Sequence, residues 1–365
     1  MRPLVSILIP AYNAERWLAD TLRSALAQSW DHKEIIIVDD GSTDRTLSVA
    51  RFFESDTVKV FAHANQGAAA TRNAAFARCS GDYIQWLDAD DLLGPDKIAL
   101  QMEALGDSPN PKTLLSAEWG KFLHRPSRAR FIPTGLWCDL PRAEWLMRKM
   151  ELNAYMQTAT WLVSRELTEA AGPWDTRLSG DDDGEYFCRV LMASDGVRFV
   201  PGARIYYRKP RPESLSYIGA CNSKRDALWL SMKLHVSYLR SIEDSFRSRA
   251  ACARYLQDCL ELLYPERRDL VAQAQELAGE LGRRLDMPHF PRKYAWINRL
   301  FGWRVARQTQ RILPWIRWWF LCKWDRALQI LSTGISRERV LIPAGTRTLN
   351  RDRTRSNRIP MRSAH

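Results

Sequence analysis

A chain of 365 residues has room for one large or two ordinary domains and a substantial core, which excludes a disulfide-stapled miniprotein. With 45% hydrophobic and 26% charged residues it fits neither a disordered chain nor a polytopic membrane protein. The net charge of +12 is confined to one end: from Asp286 onward there are 17 Lys+Arg against 4 Asp+Glu, whereas residues 1–285 hold 37 against 38. Seven cysteines, at 79, 138, 188, 221, 252, 259 and 322, include no C-x-x-C pair and suggest neither a disulfide framework nor a zinc site. Met1–Ile9 lacks the features of a signal peptide, and no run of about 18 uncharged apolar residues exists, so a reducing cytoplasm is the expected compartment.

The first hundred residues alternate β-branched runs with helical patterns, the signature of βαβ units with a parallel sheet. Val5–Ile9, Glu34–Val38, Val58–Phe61 and Tyr83–Leu87 read as strands, and Glu15–Gln28, Thr43–Phe53 and Ala68–Cys79 as helices between them. The middle, roughly 111–220, has strand candidates at Thr113–Ala117, Thr158–Val163, Val197–Val200 and Arg204–Tyr207, expected to extend the same sheet. Residues 222–285 look mostly helical. The expected organisation is a catalytic domain over 1–220, a helical extension over 221–285, a basic Trp/Arg-rich region over 286–342 and a disordered basic tail over 343–365.

Ligands of open parallel α/β sheets bind outside the carboxyl ends of the strands, where the unusual residues of this sequence fall. Strand one ends in Pro10-Ala11-Tyr12-Asn13, strand two in Asp39-Asp40-Gly41-Ser42-Thr43-Asp44 and strand four in Asp88-Ala89-Asp90-Asp91. Crowded carboxylates repel unless a cation or a hydrogen-bonding ligand offsets them. Asp88-x-Asp90 suits Mg²⁺ or Mn²⁺ shared with a diphosphate; the plain alternative is a cap for a helix starting near Pro95. Asp39-Asp40-Gly41 also reads as an ordinary turn, and Tyr12 either lies against a base or belongs to the core. Gly67 opens a helix bearing Arg72 and Asn73, where Arg72 is either a diphosphate clamp or a solvated surface residue. Asp181-Asp182-Asp183-Gly184-Glu185 opens another helix, where the acids either complement its dipole or supply a general base.

Taken together, Pro10–Asn13, Val38–Asp44, Asn65-x-Gly67 with Arg72-Asn73, Asp88–Asp91, and Asp182-Asp183-Gly184-Glu185 with Arg189 resemble the family 2 glycosyltransferases of the GT-A fold, over about residues 3–220. The resemblance implies a Rossmann-like α/β fold with a mostly parallel central sheet and an inverting, metal-dependent enzyme using Mn²⁺ or Mg²⁺. It implies a nucleotide-diphospho-sugar donor, usually UDP-linked, and a hydroxyl acceptor on a glycan or lipid-linked saccharide of the cell envelope. By position, Pro10, Tyr12, Asn13, Asp39, Asp40, Arg72 and Asp88 correspond to nucleotide-binding residues: Tyr12 on the base, Asp40 on the uracil imide, Asp39 toward the ribose and Arg72 near the diphosphate. Asp90, with Asp88, corresponds to the metal site, and Asp183 to the catalytic base, Asp182 standing where the family has Glu. The family's His-x-x-Ser-like stretch is replaced here by Arg208–Ser216, which lacks the His.

In the basic region, Ile312, Trp315, Ile316, Trp319 and Phe320 share one helical face, with Arg311 and Arg317 off it, Pro314 in the first turn or at a kink, and Trp296, Leu300 and Trp303 as a similar stripe upstream. Such helices suit an anionic membrane surface, the inner face of the cytoplasmic membrane, or pack on the catalytic domain. No recognised module supports nucleic-acid binding. Two other functions compete: a nucleotidyltransferase, which needs a glycine-rich basic loop that Pro10–Asn13 lacks, and a non-catalytic nucleotide- or glycan-binding protein on the same fold.

Overall fold

The computed structural model describes residues 2–106, 110–209, 221–264 and 266–287, and, beyond them, positions 294, 296–302, 305, 306, 309, 313, 320, 323–326 and 328. The 343–365 tail, the stretch 210–216, and Trp303, Arg311, Ile312, Pro314, Trp315, Ile316, Arg317 and Trp319 lie outside the described residues.

β1 (Val5–Ala11), α1 (Leu18–Leu26), β2 (Lys33–Asp39), α2 (Thr46–Phe52), β3 (Val58–Ala62), α3 (Ala68–Phe76) and β4 (Tyr83–Trp86) alternate as their periodicities predict. β1 and β2 carry unbroken apolar runs because both faces of a parallel sheet are covered. On α1 the buried residues Leu18, Thr21, Leu22 and Ala25 fall at i, i+3, i+4 and i+7, the stripe that docks a helix on a sheet.

The chain continues through β5 (Leu92–Leu93), α4 (Lys97–Leu105), β6 (Thr113–Phe122), β7 (Arg130–Phe131), β8 (Leu140–Pro141), α5 (Arg142–Glu151), β9 (Val163–Ser164), α6 (Arg165–Ala171), α7 (Asp182–Ala193) and β10 (Gly196–Arg208). The first sheet has the order β3-β2-β1-β4-β9, parallel except for β9. The expectation that the middle strands prolong this sheet is corrected. β6 and β10 pair with each other, in parallel, in a second sheet of order β5-β10-β6-β7, with β8 also on β10. The outer edge of β4 is already taken by β9, and among the described residues an isolated Leu115–Leu162 bridge links the two sheets. The two strand candidates at 197–200 and 204–207 are one strand whose register shifts between Val200 and Arg204.

The 158–163 segment is not a single strand either. Gln157 accepts the Ala159 N–H (2.6 Å) and the Thr160 hydroxyl donates back to the Gln157 carbonyl (2.6 Å), which winds Thr158–Thr160 into a 3₁₀ turn before β9. Helices α8 (Asn222–Ile242), α9 (Phe246–Leu263) and α10 (Arg268–Glu280) follow. One buried apolar cluster runs from Ile7 and Ile35 in the sheet to Met232, Leu256 and Leu281, with α8 packed on α7 and α9 on α5. The helical extension thus shares the core of the α/β part.

Candidate functional site

The ends of β1 and β2 are stitched together by side chains that replace missing ladder bonds. Pro10 pairs with Val38 inside the sheet; beyond it Asn13 adopts φ 48°, donates its N–H to Ser42 Oγ (3.0 Å) and accepts the Thr43 N–H (2.9 Å). Tyr12, between them, is about half exposed (52%), so its ring is not a core residue. Gly41 sits at φ 68°, and a Cβ there would come 2.7 Å from the Asn65 backbone nitrogen, so glycine is needed on both counts.

Both carboxylates at the end of β2 are buried. Asp40 accepts the Gln66 N–H (2.8 Å) and the Gly67 N–H (3.0 Å), and thereby shapes the turn that starts α3. Asp39 accepts the Ser42 N–H (3.1 Å) through Oδ2, while its Oδ1 is buried with no partner among the described residues. An orphaned acceptor of this kind is costly unless something donates to it.

The centre of the site is Arg72, on α3 and almost fully buried. Its guanidinium donates to Asp182 Oδ2 (2.6 Å) and Asp88 Oδ1 (2.9 Å) and lies 4.4 Å over the ring of Trp174. Burial is the strongest influence and opposes the charge, but Asp182, Asp88 and Asp183 together outweigh it and hold the guanidinium's pKa above the ordinary arginine value. Arg72 is therefore neither a solvated residue nor a free fork: it ties the end of β4 to the start of α7. Asn73 clamps its platform, donating to the Trp174 carbonyl (3.0 Å) and accepting the Trp174 N–H (2.8 Å).

Asp88 and Asp90 are half-buried at the end of β4, and Asp91 is fully buried. The Thr21 hydroxyl reaches the carbonyls of Ala89 (3.0 Å) and Asp91 (2.9 Å), and Arg208 Nε donates to the Asp90 carbonyl (2.8 Å). Asp91 accepts from Gln157 (2.6 Å) and the Arg208 N–H (2.7 Å); burial, then Asp90 and Asp88, push its carboxyl well above the usual range. The alternative of a cap for α4 fails, since the N-cap is Asp96 and α4 has no side-chain cap. Among the described residues no group of three or more His, Cys, Asp or Glu side chains converges as a metal cage. The donor set fits a hard cation that arrives with a phosphate-bearing ligand, because such an ion needs one or two carboxylates and takes its other oxygens from phosphate and water.

α7 begins at Asp182 after Asp181 in the left-handed region (φ 56°). Asp182 is buried, and its carboxyl is pushed up to about 6, chiefly by burial, with Arg72 opposing and Asp183 and Asp88 adding to the rise. Asp183 accepts the Thr158 hydroxyl (2.9 Å) and the Gly184 N–H (2.9 Å); burial and then Asp181 raise its carboxyl too. Glu185 and Arg189 form a two-pronged ion pair (2.7 and 2.9 Å), and Tyr238 of α8 donates to Glu185 (2.7 Å). Ser231 of α8 donates to Asp181 (2.6 Å), so the helical extension grips both sides of the acidic turn. Trp174, Thr158, Ser231 and Tyr238 are site residues that the sequence reading missed.

Residues 6–114 match the family model described as Glycosyl transferase family 2. A Bacillus subtilis protein named as a teichuronic acid biosynthesis glycosyltransferase, TuaG, is 43% identical over 105 residues, 28% of this chain and 42% of that protein. The chain spans about two fifths of the length of this relative and of a Haemophilus influenzae glycosyltransferase that it also matches (41%). Among solved structures, S. aureus TarS 1-349 in complex with UDP-GlcNAc superposes with a TM-score of 0.60 at 18% identity, over 76% of this chain and 80% of that one. The Pyrobaculum calidifontis mannosyltransferase PcManGT in complex with GDP-Man and Mn²⁺ superposes with a TM-score of 0.50 at 19% identity, over 76% and 81%. Residues 6–114, from β1 into β6, thus carry the sequence match to Glycosyl transferase family 2, and the fold over about three quarters of the chain is that of these glycosyltransferase structures.

Proposed function

We propose that this chain is an inverting glycosyltransferase that moves a sugar from a nucleotide-diphospho-sugar, a UDP-sugar, to a hydroxyl of a glycan or lipid-linked acceptor in cell-envelope polysaccharide synthesis. One observation carries the proposal: Arg72 pairs with both Asp88 at the end of β4 and Asp182 at the start of α7, which gathers the acidic strand end and the acidic helix start, with Asp183 next in sequence, into one cluster. Tyr12 covers the base, and Asp39 and Asp40 take donors from ribose and uracil. Asp90, with Asp88, would hold Mn²⁺ or Mg²⁺, which would supply charge stabilisation for the departing diphosphate. Arg72 acts by positioning, because its fork is committed to two carboxylates. Asp183 takes the proton of the acceptor hydroxyl as that oxygen attacks the anomeric carbon. The UDP-GlcNAc of TarS supports a UDP-linked donor, the GDP-Man of PcManGT the wider class of nucleotide-diphospho-sugars, and the name of TuaG the envelope role.

The test is ligand-linked thermal unfolding. UDP with Mn²⁺ is expected to raise Tm more than the sum of either alone, and Asp90→Asn is expected to lose that increment while keeping the rise due to UDP alone. An unchanged increment removes Asp90 from the metal site.

We further propose that the basic region meets an anionic bilayer on the inner face of the cytoplasmic membrane. Among the described residues no helix is long and apolar enough to cross a membrane. Yet Trp296, Leu300, Phe301, Phe320 and Trp324 are exposed in a region of strong positive charge, and Asp325 ties that region to the catalytic part through Arg125 (2.7 Å). The full chain is expected to co-sediment with vesicles containing phosphatidylglycerol and not with pure phosphatidylcholine, and the pair Trp296→Ser and Trp324→Ser is expected to weaken it. Equal binding to both vesicle types defeats this reading.

A further inference from the structure

Behind the acidic turn, α5, α7, α8 and α9, with the segment after α5 and Tyr207 of β10, border an open-mouthed cavity of about 400 Å³, within the size range of small-ligand sites. Asp181 and Asp183 line it, whereas Arg72, Asp88 and Asp182 do not, so Asp183 faces the chamber from the residue next to the Arg72–Asp182 pair. Its wall holds Trp145, Trp161, Tyr155, Tyr207 and Tyr255, rings that offer flat apolar faces, three of them with hydroxyl edges. Sugar rings have the same two-sided character. Tyr155 and Leu262, both partly exposed, mark the solvent side.

The wall also holds an unusual cation. Lys149 of α5 is only 7% exposed, and its ammonium has no hydrogen-bond or carboxylate partner among the described residues; it lies 5.6 Å from the centre of the Tyr255 ring. The other deeply buried lysine, Lys97, is by contrast bonded to Gln85 and the Trp161 carbonyl. Nor do the acids around the chamber serve Lys149: Asp181 is bonded to Ser231, Asp183 to Thr158 and Asp258 to Arg254. An ammonium that faces a largely apolar chamber with no carboxylate on it offers an unneutralised charge to an anionic ligand group.

We propose that this chamber is the acceptor subsite and that Lys149 selects an acceptor saccharide bearing a negative group, a phosphate or a uronate carboxylate. The proposal rests on the glycosyltransferase reading, with Asp183 facing the acceptor hydroxyl from the chamber's inner wall.

Calorimetric titration of the full chain with three trisaccharides, ending in glucose, glucuronate or glucose 6-phosphate, tests it. At least one charged probe is expected to bind about tenfold or more tighter than the neutral one, and which of the two does so identifies the anion. Lys149→Met, with Lys149→Gln as a second charge-free variant, is expected to erase the preference, and Lys149→Arg to keep it. Parallel titration with UDP reports folding and the donor site in every variant. Equal affinity of the wild type for charged and neutral probes, a preference that survives loss of the charge, or UDP binding with no saccharide binding each overturns the acceptor assignment. Absence of UDP binding in the wild type strikes instead at the underlying glycosyltransferase reading.

Discussion

Asp183→Asn is expected to lower the turnover of sugar transfer by about 10²–10⁴-fold, the range typical of a lost general base, while Tm and UDP affinity stay close to wild type. Asparagine keeps the shape of the side chain: its oxygen can still accept the Gly184 N–H while its amide donates to the Thr158 hydroxyl, which can turn to accept, so the 3₁₀ turn and the start of α7 are preserved. What it cannot do is take a proton. Burial first, and then the neighbouring Asp181, raise the Asp183 carboxyl, which makes its ionised form a stronger base than an ordinary aspartate. Because the reaction needs that ionised form, activity is expected to fall as pH drops through the raised pKa, and the acid limb of the kcat/KM profile is expected above the usual aspartate range. Asp182→Asn provides the contrast. It removes a charged partner of Arg72, so its main effect is expected on stability rather than on turnover at a permissive temperature. Steady-state transfer kinetics beside thermal unfolding of the two variants tells them apart, and near-normal turnover in Asp183→Asn excludes it as the base.

The parts of the site that local pattern reveals are those at the ends of continuous apolar runs. β1, β2 and β4 each change abruptly from buried aliphatic or aromatic residues to Tyr12-Asn13, Asp39-Asp40 or Asp88–Asp91, and this change marks both the strand end and the ligand-facing edge. The start of α7 is legible in the same way from three successive aspartates. The partners of these residues are not legible, because they come from distant segments. Arg72 meets Asp182 across 110 positions, and Asn73 meets Trp174 across 101. Thr158 reaches Asp183 only because Gln157 bends the chain through side-chain bonds that leave no periodic trace. The second sheet was hidden for a related reason: β6 and β10 have ordinary strand composition, and only occupation of the β4 edge by β9 decides that they pair with each other. The role of α8 is the least visible, since Ser231 and Tyr238 are unremarkable helix residues until they meet Asp181 and Glu185.

Arg72→Met is expected to destabilise the fold by about 3–5 kcal/mol at neutral pH, the usual cost of leaving a buried charge without its partner. Methionine can still lie against Trp174, so lost packing is the smaller part of the effect. The larger part falls on Asp182, whose carboxyl stands at about 6 even with Arg72 pulling it down; without the guanidinium it moves higher. The sign follows from linkage. The unfolded carboxyl titrates near 3.8, so between that value and the raised native one the folded protein holds a proton that the unfolded chain has released. Stability therefore declines with rising pH across this window, and in the variant the decline continues to higher pH than in the wild type. Urea unfolding at about pH 5 and about pH 8 is expected to show a small difference between variant and wild type at the lower pH and a large one at the higher. Arg72→Lys, a point charge without the fork, serves one carboxylate rather than both and is expected to lie between them. A difference of the same size at both pH values rules out the ion pair with Asp182 as the main contribution of Arg72, and leaves its stacking on Trp174 as the interaction that matters.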